Sequence, residues 1–131
     1  MKINEQVLSR KQMAHLRELG IDTSDASLCW RWSNEGGGWV LGFMNPLLQE
    51  ISNPPHREGP FPAYTIGDLI EKLPKHFYIK EAQISMVALN GSGAFQVWYD
   101  KVPKSSKSDG TIKNALYKLL CWVAEKHKEL L

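Results

Sequence analysis

Apolar positions recur along this chain with two periods, one helical and one of strands. Met13, Leu16 and Leu19 fall on one helical face, with Lys11, Ala14, His15 and Glu18 opposite. Ser9 and Gln12 are spaced as a capping box, Leu8 can staple to Met13, and Gly20 supplies a left-handed stop, so the pattern predicts a helix over 10–19. A second capping-box-like start lies at Thr65 with Asp68. Ile66, Leu69, Ile70 and Leu73 form its stripe, and Pro74 ends it, predicting a short second helix. Ile112, Leu116, Leu119, Leu120, Val123 and Leu130 make the stripe of a third helix within 111–130.

Between these helices the period changes to two. Cys29-Trp30-Arg31-Trp32 and Trp39-Val40-Leu41-Gly42-Phe43 flank the break SNEGGG, which predicts a hairpin. Its glycines turn the chain and do not cradle a phosphate, because Gly38 is followed by Trp39 and a strand pattern, with no Lys-Ser/Thr pair or helix start. Pairing Trp32 with Trp39 places Leu28, Trp30, Trp32, Trp39, Leu41 and Phe43 on one face, the expected core face. Cys29, Arg31, Val40, Gly42 and Met44 fall on the other. A second hairpin is predicted around Asn90-Gly91, with Ile84, Met86, Ala88, Phe95, Val97 and Tyr99 on one face and Ser85, Val87, Gln96 and Trp98 on the other.

Two segments carry no period. Residues 45–63 hold five of the seven prolines and predict a crossing loop, with one helical turn at LLQEI at most. DKVPKSSKSDG reads as a polar linker. The order α-ββ-α-ββ-α predicts an α+β fold: one domain over 1–131, with a four-stranded antiparallel sheet and helices packed mainly on one face.

Composition supports a folded domain. With 131 residues, 43% hydrophobic and 23% charged, and five tryptophans, the chain can bury a single core without a disulfide or a metal. Its start has no apolar segment of signal-peptide length and no run long enough to span a bilayer, so the expected location is cytoplasmic, without a membrane partner. Cys29 and Cys121 lie in a strand and a helix pattern and read as small buried thiols rather than a staple. Net charge is +2, unevenly spread: residues 101–131 hold seven Lys against three acids, whereas residues 21–60 hold two Arg against five acids. That asymmetry reads as a solvated helix and loop.

Gln12-Met13, Leu16, Leu19-Gly20, Asp22-Thr23-Ser24, Ala26-Ser27 and Cys29-Trp30 belong to a wider pattern. With Pro62-Ala63-Tyr64-Thr65, Leu73-Pro74, Ala115-Leu116-Tyr117 and Leu119-Leu120-Cys121-Trp122, they resemble a family of short uncharacterised proteins from gut Bacteroidales genomes and their phage or conjugative elements. The resemblance covers most of the chain and is weakest over 45–60. It implies an accessory, bacterial, cytoplasmic protein and brings no catalytic or ligand residues with it.

The candidate chemistry is sparse. His15, His56, His76 and His127 have no metal-ligand spacing and no cysteine partners, so neither a metal nor a cofactor is expected. There is no Gly-x-Ser-x-Gly elbow, and the carboxylates are scattered. Cys29 shares its predicted face with Arg31, the arrangement that lowers a thiol pKa when the two are close. If the hairpins join in one sheet, Cys29, Arg31, Ser85, Gln96 and Trp98 share the face away from the helices, a candidate binding face. The leading reading is a non-enzymatic protein-binding or regulatory module. The alternative is a single strand of nucleic acid or a flat ligand stacked on Trp98, with Lys101, Lys104 and Lys107 near the backbone. Third comes a small enzyme using Cys29.

Overall fold

The computed structural model describes residues 5–33, 35–43, 60–77, 80–81, 83–89 and 93–131. Among the described residues there are three α-helices: α1 (Arg10–Glu18), α2 (Ile66–Lys72) and α3 (Ile112–Lys126), the last followed by a 3-10 turn at Lys128–Leu130. Their starts are set locally. Ser9 Oγ accepts from the Gln12 amide at 3.1 Å while Gln12 Oε1 accepts from the Ser9 amide at 3.0 Å, closing the capping box of α1. Thr65 and Asp68 do the same for α2, both bonds at 3.0 Å. Thr111 Oγ1 accepts from the Asn114 amide at 3.1 Å to cap α3. Gly20 has φ +89°, a left-handed conformation that favours glycine; the Lys128 side-chain end that a Cβ there would meet can swing aside, so conformation and not space sets the requirement.

The strands form two three-stranded antiparallel sheets and one short ladder, not the single four-stranded sheet expected. In the first, β1 (Leu28–Ser33) pairs with β2 (Gly38–Phe43), with Trp32 opposite Trp39 as expected. The other edge of β1 is taken by β3 (Phe61–Ala63), within the segment expected to be loop; Pro62 is tolerated because β3 is an edge strand. Residues 45–59 of that segment, with the LLQEI turn, lie outside the described residues. A short ladder joins β4 (His76–Phe77) and β5 (Lys80–Glu81). In the second sheet β6 (Ile84–Leu89) pairs with β7 (Ala94–Tyr99) in the expected register, and β8 (Lys107–Asp109) adds to β7 from within the expected linker. Thus β3 and β8 each add to one edge of a hairpin, and the two hairpins lie in separate sheets.

One core unites α1, α2, α3 and the second sheet. Leu8, Met13, Leu16, Tyr64, Leu69, Leu73, Val97, Tyr99, Leu116, Leu119, Leu120 and Val123 are fully buried. The first hairpin does not supply the core face expected of it: Phe43 is 81% exposed and Trp32 36%, while Cys29, assigned to the outer face, is buried. On that face Trp39 and Phe61 meet the guanidinium groups of Arg10 and Arg17 of α1 rather than its apolar stripe. Trp30 still anchors the sheet, its Nε1 donating to the Leu8 carbonyl at 2.9 Å.

The turn between β7 and β8 is held by a buried hydroxyl. Ser105 Oγ accepts from the Tyr99 amide at 3.0 Å and donates to the Val102 carbonyl at 2.8 Å. Ser105→Ala leaves that buried amide without its acceptor and is expected to cost about 1 to 3 kcal/mol, read by urea denaturation.

Candidate functional site

The five residues expected to share a binding face lie on two different sheets. Cys29 and Arg31 are on β1; Ser85, Gln96 and Trp98 are on β6 and β7. Ser85 is cross-strand from Trp98, and its Oγ donates to Asp100 Oδ1 at 2.8 Å. Gln96 Nε2 donates to Ser106 Oγ at 2.5 Å, and Trp98 is half-buried. Arg31 is exposed, its guanidinium folded over Gly42 so closely that a Cβ there would sit 2.5 Å from Nη2. Of the three lysines in the alternative reading, Lys107 lies over the Trp122 ring at 5.3 Å and donates to the Lys104 carbonyl.

Burial works against the thiolate form at both cysteines. Burial pushes the Cys29 thiol up, and the Arg31 charge pulls it only partly back. Burial also pushes Cys121 up to about 11, against the hydrogen bond from Tyr117. Both stay protonated at neutral pH, which predicts slow alkylation until the chain unfolds. Raised thiols also make stability fall in alkali. In the unfolded chain the thiols ionise near 9.0, so their contribution is complete below that pH and declines as pH climbs towards about 11. Buried Tyr64 and Tyr99, raised first of all by burial, extend the decline. The urea midpoint is expected to be steady to about pH 8 and to drop beyond 9, and Cys121→Ala to shrink that drop.

The surface with the most pronounced chemistry lies between α1 and the first sheet. Trp32, Trp39 and Phe61 form a ladder of rings, with centroids 5.5 Å apart for Trp32–Trp39 and 5.7 Å for Trp39–Phe61. The cross-strand pairs Trp32–Trp39 and Trp30–Phe61 put these rings on one face by alternation. Onto that ladder α1 lowers two cations. The Arg10 guanidinium stands 3.8 Å from the Trp39 centroid, and that of Arg17 5.6 Å from Phe61. Arg10, Ala14 and Arg17 follow helical spacing, and with Lys11 and Phe61 they line an open groove of about 400 Å³.

Among the described residues no carboxylate lies within ion-pair distance of Arg10, Lys11 or Arg17, whereas Lys72 and Lys118 pair with Asp25 and Asp109. The groove on the other flank of α1 is different in character, since Glu18 and His15 line it with Tyr117. Sequence reasoning missed the basic groove: Lys11 and Ala14 read as the side of the helix opposite the apolar stripe, Arg10 and Arg17 take no role in that reading, and Phe61 lies among prolines. The signal available was Arg at i and i+7 with a small residue between them, a cationic stripe beside the apolar one. Among the described residues no group of His, Cys, Asp and Glu is arranged to hold a metal ion, and no helix is long and apolar enough to cross a membrane.

No family model matches this chain, and neither the curated proteins nor the solved structures contain a match.

Proposed function

We propose that this chain is a non-enzymatic binding module whose groove along α1 takes an acidic segment of a protein partner. One observation carries the reading: three neighbouring cations without acidic partners among the described residues, two of them braced on aromatic rings. A stacked guanidinium keeps its N–H edge free for the two oxygens of a carboxylate while the ring restricts its motion, so less entropy is lost on binding. Gathering Arg10, Lys11 and Arg17 on one helix flank costs repulsion in the free protein, which an acidic partner relieves. The Phe61 ring at the groove floor offers apolar contact beside the charges.

The rings do not favour a stacked base. Arg10 occupies a face of Trp39, and Trp98 on the second sheet is half-buried. Fluorescence anisotropy with a labelled glutamate-rich peptide and a labelled single-stranded oligonucleotide of matched charge separates the two ligands. The peptide is expected to bind more tightly and to weaken as salt rises. Tighter binding of the oligonucleotide, lost in Trp98→Ala, would replace this reading with the nucleic-acid one.

A further inference from the structure

Each three-stranded sheet has two edges, and the four edges are not equally guarded. An edge strand presents unpaired backbone donors and acceptors, which folded chains blunt by shortness, proline or charge. At three residues, β3 is short and contains Pro62; β8 is equally short and carries Lys107 and Asp109. The six-residue β2 has a guanidinium over each face, Arg10 on Trp39 and Arg31 on Gly42. The remaining edge, β6, has none of these devices. Its six residues, Ile84-Ser85-Met86-Val87-Ala88-Leu89, include no charge and no proline. Met86 is 49% exposed and Val87 45%, one on each face of the strand, and Ala88 is exposed beside them.

Among the described residues no strand pairs with the outer side of β6, and the backbone pattern shows which groups face that side. The Asp100 amide donates to the Gln83 carbonyl at 2.9 Å, so Gln83 and Asp100 are a bonded pair of the β6–β7 ladder. Antiparallel ladders alternate, which makes Ser85 and Val87 the next bonded residues and turns the N–H and C=O of Ile84, Met86 and Ala88 outward. We infer that β6 pairs antiparallel with β6 of a second copy of this chain, about a two-fold axis at Met86. That register sets Met86 against Met86 and Ile84 against Ala88, so the outward residues face one another and each opposed pair exchanges both of its backbone bonds.

The choice of a second copy rests on closure and on charge. Two sheets joined at β6 run β8-β7-β6-β6-β7-β8, ending at both sides in the short charged strand, so no unguarded edge is left in the joined sheet. A strand without charges opposes no like charges when it meets itself, and it carries nothing to select a different sequence. This pairing is independent of what occupies the α1 groove.

Sedimentation equilibrium from low micromolar concentration upward reads the association directly. The wild-type mass is expected to rise from 14.9 kDa towards twice that value and to stop there. Met86→Lys places a like charge on the axis, and Met86→Pro removes an outward N–H without touching the β6–β7 ladder; each is expected to weaken association at least tenfold with an unchanged circular dichroism spectrum. Should Met86→Pro fail to fold, Met86→Lys and amide exchange decide, with Ile84, Met86 and Ala88 amides slowing as wild-type concentration rises. A monomer at every concentration, growth beyond two chains, or a dimer that persists in Met86→Lys would each overturn the inference.

Discussion

Leu120→Ala is expected to lower the free energy of unfolding by roughly 2 to 5 kcal/mol, enough to remove much of the stability of a domain this size. Leu120 is fully buried in the middle of α3, which packs against β7, β8 and α2. Truncation removes buried methyl groups and leaves a cavity, because close-packed neighbours collapse only partly. Phe43→Ala is the control. Phe43 is 81% exposed, so its loss is expected to stay within about 0.5 kcal/mol, although alternation alone places it on a core face. Urea denaturation followed by tryptophan fluorescence measures both. Equal losses would mean that the first hairpin is packed into the core after all.

The second large effect falls on binding. Arg10→Glu with Arg17→Glu is expected to weaken an acidic peptide by about a hundredfold or more, since each reversal removes a charge-assisted hydrogen bond and adds repulsion. Stability is expected to change far less, because two partly exposed cation–π contacts are worth about 0.5 to 1 kcal/mol each. Arg10→Lys with Arg17→Lys keeps the charge but loses the fork and the flat stacking surface, and should fall between the two. Peptide affinity that survives the double reversal would place the binding surface elsewhere.

How much of this was readable from the residues depends on how local each cause is. The capping boxes at Ser9/Gln12 and Thr65/Asp68 involve groups three positions apart, and both helices start as their spacing predicts. The Trp32–Trp39 and β6–β7 registers follow from alternation on either side of a turn. The short strands were not readable, because Phe61-Pro62-Ala63 and Lys107-Ser108-Asp109 have poor strand composition and exist through neighbours far away in sequence. With β3 and β8 unseen, the hairpins were free to be merged into one sheet, and the expected face with Arg31 and Trp98 came from that merger. The α1 groove has the same cause: it needs β3 to bring Phe61 beneath Arg17, a contact spanning more than forty residues.

The central claim, that the α1 groove is the binding surface, is tested most directly by amide and indole chemical-shift mapping during titration with the glutamate-rich peptide. The predicted result is a set of shifts confined to Arg10–Arg17, Phe61 and the indole signals of Trp32 and Trp39, saturating together and abolished in the double charge reversal. Shifts centred instead on Ser85, Gln96 and Trp98, with α1 unmoved, would contradict it.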